Sequence, residues 1–215
     1  MPRFDAVEAV VFDNDGVLVD SLASVDRAWR RWSIEHGLDP EAVMPMVHGR
    51  PSRDTVAALV APDLVERAVR RIDELEIDDA ADVTALPGAA ALLVSLPAGR
   101  WAIVTSATED LFAARLAAAG LPRPPVVVTA DQVTRGKPDP EGYLAAVRRL
   151  GVPPGRAAVF EDSGTGIAAA VAAGVGTVVR VGTGEPGEGE AAVVADLRSV
   201  AWRGGLVVED GIAGG

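Results

Sequence analysis

The chain has 215 residues, 49% hydrophobic and 24% charged, with a net charge of −11 and no cysteine. That length suffices for one sizeable core, or a core with a smaller second domain. The charge argues against nucleic acid as a partner, because nucleic-acid phosphates need a Lys/Arg surface, and the lack of cysteine excludes disulfides and thiolate chemistry.

In chain order, Ala9-Val10-Val11-Phe12 is an apolar, partly β-branched run that reads as a buried strand. It ends abruptly in Asp13 and Asp15, followed by Gly16. After Ser21 the pattern turns helical: Leu22, Val25, Ala28, Trp29 and Trp32 recur at three- and four-residue steps, until Gly37 closes the element. A short helix is expected from Pro40 to about Val47. The turn His48-Gly49-Arg50-Pro51-Ser52-Arg53 follows, and Ser52 or Asp54 is placed to cap a helix running through Val60. Another helix starts at Asp63, with Val65, Ala68, Val69, Ile72 and Leu75 as its buried stripe. From Leu22 to about Ala85 the pattern contains helices only, which marks an insert. No run approaches the roughly 20 apolar residues a bilayer span requires. Asp5 and Glu8 interrupt any charged-then-apolar leader. A cytoplasmic monomer without a membrane partner is the expectation.

Beyond Pro87-Gly88 and a helix to Leu96, strands and helices alternate. Residues 101–104, 126–128, 157–160 and 177–181 read as strands. Helices are expected from 105–108 to about 119, around 143–150, and over 167–173. The Gly/Glu stretch 182–189 reads as a solvated loop, and Leu206-Val207-Val208 as part of an edge hairpin. Repeated β-α units imply an α/β fold with a doubly wound parallel sheet and right-handed crossovers.

Four strand ends or turns carry polar groups: Asp13/Asp15, Ser106, Lys137 and Glu161/Asp162. Strand C-termini share one edge of a parallel sheet, so these groups can converge there. Several carboxylates around one point suit a hard divalent cation such as Mg²⁺. A lysine and a hydroxyl beside it make a pocket for a tetrahedral dianion. Phosphoryl transfer needs positioned reactants and neutralised oxygens, and a carboxylate can act as its nucleophile. A second acid two residues on can protonate a leaving alcohol and later activate water. Thr105 and Ser106 alternate in direction; Ser106 is favoured as the phosphate-binding hydroxyl, and a one-residue slip would swap the two.

This ordered set resembles the haloacid dehalogenase-like phosphohydrolase superfamily over essentially the whole chain. Its motifs stand as residues 12–21 (FDNDGVLVDS), 104–106 (VTS), 136–140 (GKPDP) and 160–167 (FEDSGTGI). The resemblance implies that Asp13 is the nucleophile and Asp15 the acid/base. Asp13, the Asp15 carbonyl and Asp162 would hold Mg²⁺, with Glu161 a ligand or a supporting group. Ser106, Lys137 and the backbone amides of Asn14 and Ala107 would bind phosphoryl oxygens. Asn14 departs from the apolar or small residue commoner at its position, which matters little where the backbone does the work. The resemblance also makes residues 18–85 a four-helix cap inserted into a core of residues 1–17 and 86–215. The phrases Asp20-Ser21-Leu22, Arg71-Ile72-Asp73-Glu74-Leu75-Glu76 and Leu86-Pro87-Gly88 are similar to those of phosphatases of sugar and polyol phosphates, so a small phosphorylated sugar or polyol is the implied substrate. His48, Gly49, Arg50 and Arg53 are its candidate cap contacts, although a turn histidine and solvated helix-start arginines would look the same. Trp29 reads as cap core before sugar platform.

Competing readings are weaker. Gly164-Thr165-Gly166-Ile167-Ala168-Ala169 mimics a dinucleotide fingerprint, yet Glu161 and Asp162 just before it would repel a pyrophosphate, and the next strand ends without an acid for a ribose. A phosphosugar mutase would use the same acids, and phosphate release against isomerised product separates the two. A non-catalytic sensor would not need both Asp13 and Asp15, and a dehalogenase has no use for Asp15.

Overall fold

A computed structural model describes residues 3–47 and 51–209, together with the backbone of 212–213. It opens with β1 (Arg3–Phe4), β2 (Ala9–Phe12) and β3 (Val19–Asp20), then α1 (Leu22–Glu35), α2 (Pro40–Val43), α3 (Ser52–Leu59) and α4 (Val65–Asp78). After β4 (Thr84–Ala85) come α5 (Ala89–Ser95), β5 (Trp101–Val104), α6 (Glu109–Ala118), β6 (Val126–Val128) and α7 (Glu141–Leu150). The chain continues through β7 (Ala157–Glu161), α8 (Gly164–Ala172) and β8 (Thr177–Val181). It ends with β9 (Ala192–Val194), β10 (Val200–Trp202), β11 (Leu206–Val208) and β12 (Ile212–Ala213).

The main sheet has the order β12-β9-β8-β7-β2-β5-β6. Its neighbours run parallel except β12, which pairs antiparallel with β9. This is the expected doubly wound α/β sheet. Phe12 lies opposite Phe160 on one side and Ile103 on the other. The chain leaves β2 toward β5 in one direction and returns to β7 in the other, so the crevice at a topological switch point opens above the C-terminal end of β2.

Side-chain alternation divides the strands between two cores. Val10, Phe12, Ile103 and Phe160 pack with Leu92, Leu93, Leu111, Phe112 and Leu116 of α5 and α6. Ala9, Val11, Ala102, Val104 and Val159 pack with Tyr143, Ala146, Val147, Ile167 and Ala170 of α7 and α8. Both faces are covered, so β2, β5 and β7 read as unbroken apolar runs rather than alternating ones.

The insert has a hydrophobic cluster of its own, with Trp29 and Trp32 at its centre beside Val43, Val56, Ala68, Ile72 and Leu75. The Trp32 indole donates to the Ala68 carbonyl at 2.9 Å, and its ring lies 5.3 Å from that of Trp29. Replacing Trp32 by alanine is expected to cost about 3–5 kcal/mol. Hydrogen exchange should show α1 and α4 losing protection while β2, β5 and β7 keep theirs.

Several elements differ from the sequence expectation. The insert is not purely helical up to Ala85: Val19–Asp20 pairs antiparallel with Thr84–Ala85, so both connections to the sheet domain cross as one two-stranded ribbon. Neither Ser52 nor Asp54 caps α3; Pro51 occupies that position, with its fixed φ pre-set for a helix start. Residues 44–46 and 62–64 form single 3₁₀ turns, so α2 is shorter than expected and α4 begins at Val65 rather than Asp63. Helix α8 begins at Gly164, capped by Ser163. The tail hairpin pairs β11 with β10 and also with β1 in a separate three-stranded sheet. No helix among the described residues is long and apolar enough to cross a membrane.

Candidate active site

The ladder of β2 continues one residue past the strand, the Asp13 amide donating to the Phe160 carbonyl at 2.9 Å. Asp13 therefore leaves the sheet in register with β7. The chain then doubles back, with the Asn14 carbonyl accepting from the amides of Leu18 (2.8 Å) and Val19 (3.0 Å). Gly16 makes this turn at φ +81°, and a Cβ there would lie 2.0 Å from Asp162 Oδ2. A glycine is required on both counts, and its bareness lets Asp162 approach the first loop.

Lys137 reaches the same point from the loop before α7. It is buried, with Nζ 2.6 Å from Asp13 Oδ1 and 2.5 Å from Glu161 Oε1. Tyr143 donates its hydroxyl to Glu161 Oε1 at 2.8 Å. Glu161 Oε2 accepts from the Asp162 amide, the Ser163 amide and the Ser163 hydroxyl, each at 3.0 Å. Both oxygens of this fully buried carboxylate are therefore engaged. A Cβ on Gly166 would sit 1.7 Å from Glu161 Oε1, so Gly166→Ala is expected to displace the carboxylate and cost about 1–3 kcal/mol. A melting-temperature comparison checks it.

Burial and the neighbouring Glu161, Asp162 and Asp15 push the Asp13 carboxyl well above its ordinary range, with Lys137 pulling the other way. Burial, then Glu161, raises Asp162 to about 7. Burial also acts on Glu161, but Lys137, the hydrogen bonds from Lys137 and Tyr143 and the Ser163 amide outweigh it and hold that group low. The ammonium of Lys137 loses solvation, yet Asp13 and Glu161 raise it well above its usual value. Carboxylate oxygens of Asp13, Glu161 and Asp162 lie within 4.8 Å of one another. This all-oxygen, net anionic donor set fits a hard divalent cation, whose charge would favour the ionised forms that burial disfavours at Asp13 and Asp162.

These groups border a cavity of about 160 Å³ between the sheet edge and the insert, open to solvent on one side. Asp13, Asp15, Ser106, Ala107, Lys137 and Asp162 line its floor, and Leu22, Val25, Trp29, Val47 and Ser52 come from the insert. Ser106, not Thr105, is on its wall; the Thr105 hydroxyl is turned to accept the Ala107 amide at 3.1 Å. That bond also engages one of the two amides expected to face a phosphoryl group. Asn14 is buried, and its side chain donates to Asp15 Oδ2 at 3.3 Å. Trp29 belongs to the insert core and lines the cavity as well. Arg53 does not line it: its guanidinium pairs with Glu66 on the exposed side of the insert. His48, Gly49 and Arg50 lie outside the described residues.

Two functional side chains were missed from the sequence. Arg115, on α6, is buried with Nη1 3.0 Å from Asp15 Oδ1 and Nη2 2.9 Å from Glu76 Oε1. Asp15 Oδ1 also accepts from the Ser21 hydroxyl at 2.7 Å. Burial raises the Glu76 carboxyl to about 7 despite Arg115 beside it. A signal existed: Arg115 falls in step with Leu111, Phe112 and Leu116, and Glu76 with Ile72 and Leu75, so each places a charge on an apolar helical stripe.

A strand end carrying two aspartates, a buried lysine between two acids and helices of the insert beside one small cavity make an arrangement suited to phosphoryl transfer. A family model for haloacid dehalogenase-like hydrolases matches residues 7–174. The chain belongs to that family. It is 44% identical over 170 residues to hexitol phosphatase A of Escherichia coli (strain K12), covering 76% of this chain and 78% of the relative. It is 34% identical over 203 residues to 2-deoxyglucose-6-phosphate phosphatase 2 of Saccharomyces cerevisiae, with 83% and 81% covered. Among solved structures, CbbY from Rhodobacter sphaeroides in complex with phosphate superposes with a TM-score of 0.77 at 25% identity, covering 89% of this chain and 95% of that one. Family and relatives together make the chain a phosphoric monoester hydrolase.

Proposed function

We propose that the protein hydrolyses monophosphate esters of small sugars or sugar alcohols through an aspartyl-phosphate on Asp13. The observation that carries this reading is the meeting of Asp13, Lys137 and Asp162 on the floor of one cavity roofed by the insert. A cavity of about 160 Å³ is of a size that suits a small ester. The named relatives act on a hexitol phosphate and a deoxyhexose phosphate, which favours the same substrate class here.

In the first half-reaction an Asp13 carboxylate oxygen attacks phosphorus and the bond to the ester oxygen breaks, while the Asp15 carboxyl gives its proton to the departing alkoxide. In the second, the Asp15 carboxylate takes a proton from water, the resulting hydroxide attacks phosphorus, and the bond to Asp13 breaks to release inorganic phosphate. Lys137 and Ser106 would balance and orient the equatorial oxygens. Glu161 fixes Lys137 for that work. Asp13, the Asp15 backbone carbonyl and Asp162 would hold Mg²⁺, which supplies charge neutralisation of the transferring group when bound. Residues 18–85 would act as a cap that keeps bulk water from the first step.

The test is phosphate release from a panel of hexose, hexitol and glycerol phosphates, with Mg²⁺ and with a chelator. Magnesium-dependent release is expected, without isomerised sugar phosphate. Isomerisation without net release would replace hydrolase by mutase, and full activity with chelator present would remove the metal.

A further inference from the structure

Two buried charged side chains that line the cavity, Glu76 from the insert and Arg115 from α6, are left incompletely bonded by the proposed chemistry. Glu76 is 3% exposed and Arg115 4% exposed, and both line the cavity. They meet through Glu76 Oε1 and Arg115 Nη2 at 2.9 Å. Glu76 Oε2 and Arg115 Nε, however, have no hydrogen-bond partner among the described residues. Buried polar atoms are nearly always paired, and an unpaired charged group is the costliest exception. The pair thus holds one unused acceptor and one unused donor, both buried, on residues that line the cavity together with Leu22, Val25, Trp29 and Val47.

A hydroxyl is the neutral group that donates and accepts through a single atom. We infer that Glu76 and Arg115 read the hydroxyls of the leaving alcohol, Glu76 Oε2 accepting from them and Arg115 Nε donating. This inference rests on the phosphatase reading and names the element that selects a polyhydroxylated ester within it. A cavity built to bond a hydroxyl discriminates against analogues lacking it far more strongly than an apolar wall can. Arg115 is also a positioning residue. Its Nη1 on Asp15 Oδ1 links recognition of the alcohol to the group proposed to protonate it.

The experiment compares wild type and Glu76→Gln on three esters: a hexitol phosphate, its deoxy analogues, and p-nitrophenyl phosphate, whose leaving group carries no aliphatic hydroxyl. Glu76→Gln should lower the ratio of kcat/KM for the hexitol ester over the aryl ester by about ten- to a hundredfold, chiefly through KM. In wild type at least one deoxy analogue should fall by a similar factor, and Glu76→Gln should lose that discrimination. Equal falls on hexitol and aryl esters would assign Glu76 a purely structural part, acting through Arg115 on Asp15, and would overturn the inference. Indifference of the wild type to every deoxy analogue would overturn it too, whether or not the variant folds. Wild type that cleaves the aryl ester and no polyol ester would instead sink the substrate class, and this inference with it.

Discussion

Asp13→Asn is expected to lower phosphate release by at least about a thousandfold, the loss typical when a covalent nucleophile is removed. An amide cannot expel the ester oxygen by forming an aspartyl-phosphate, and Glu161 is not free to stand in for it. Glu161 has both oxygens engaged by Lys137, Tyr143, Ser163 and the Asp162 amide. The fold should tolerate the change. Burial and adjacent acids already disfavour ionised Asp13, so the neutral amide removes that cost while Lys137 keeps Glu161 as its counter-ion. A melting temperature within a few degrees of wild type, together with lost turnover, is the expected pair of results. Purified variant retaining more than about a hundredth of wild-type turnover would reject Asp13 as nucleophile and leave direct attack by water in its place.

The main sheet was legible because parallel strands covered on both faces cannot hide polar residues, so residues 101–104, 126–128 and 157–160 stand out as uninterrupted apolar runs. Asp13, Glu161 and Asp162 were legible for the converse reason: charges directly at the ends of such runs have nowhere to go but the shared edge, whereas Lys137 stands in a loop nine residues past β6 and was legible only through its Gly-Lys-Pro turn. What escaped notice depends on distance in sequence or on a broken pattern. Ala192–Val194 is a three-residue stretch after a Gly/Glu loop, and only its pairing with β8 and β12 makes it a strand. Arg3–Phe4 and Val19–Asp20 are two-residue pieces whose partners lie about 200 and 65 residues away, beyond any local periodicity. Thr105 and Ser106 could not be separated by alternation alone, since the strand ends at Val104 and the Thr105 hydroxyl is drawn to the Ala107 amide. Arg115 and Glu76 were overlooked because charges on a helix are ordinarily given to its solvated face. Only the fold, pressing α4 against α6, shows that these two are buried against each other.

The second large effect is expected from Lys137→Met, which keeps the length and apolar stem of the side chain and removes its ammonium. Asp13 and Glu161 lie 2.6 and 2.5 Å from that group. Removing one partner from a buried ionic cluster typically costs about 3–5 kcal/mol, because the remaining charge is left uncompensated. For a chain of this size that corresponds to a fall in melting temperature of roughly 6–20 °C. The pH dependence separates charge from packing. In wild type, Glu161 is held below its ordinary value, so its stabilising contribution is present at neutral pH and is lost only as pH falls through that lowered value. The raised Lys137 contributes below its ordinary value of 10.5 and loses its contribution only in strong alkali. Without the ammonium, burial raises Glu161 instead, and Asp13, already raised, rises further. The folded variant then takes up protons that the unfolded chain does not hold, and it regains stability as pH is lowered from 8 to 5. The deficit relative to wild type should therefore narrow across that interval, measured as melting temperature at each pH. A deficit constant from pH 5 to 8 would mean that Lys137 serves by its packing, and would remove the ammonium as the charge that holds Asp13 and Glu161 together.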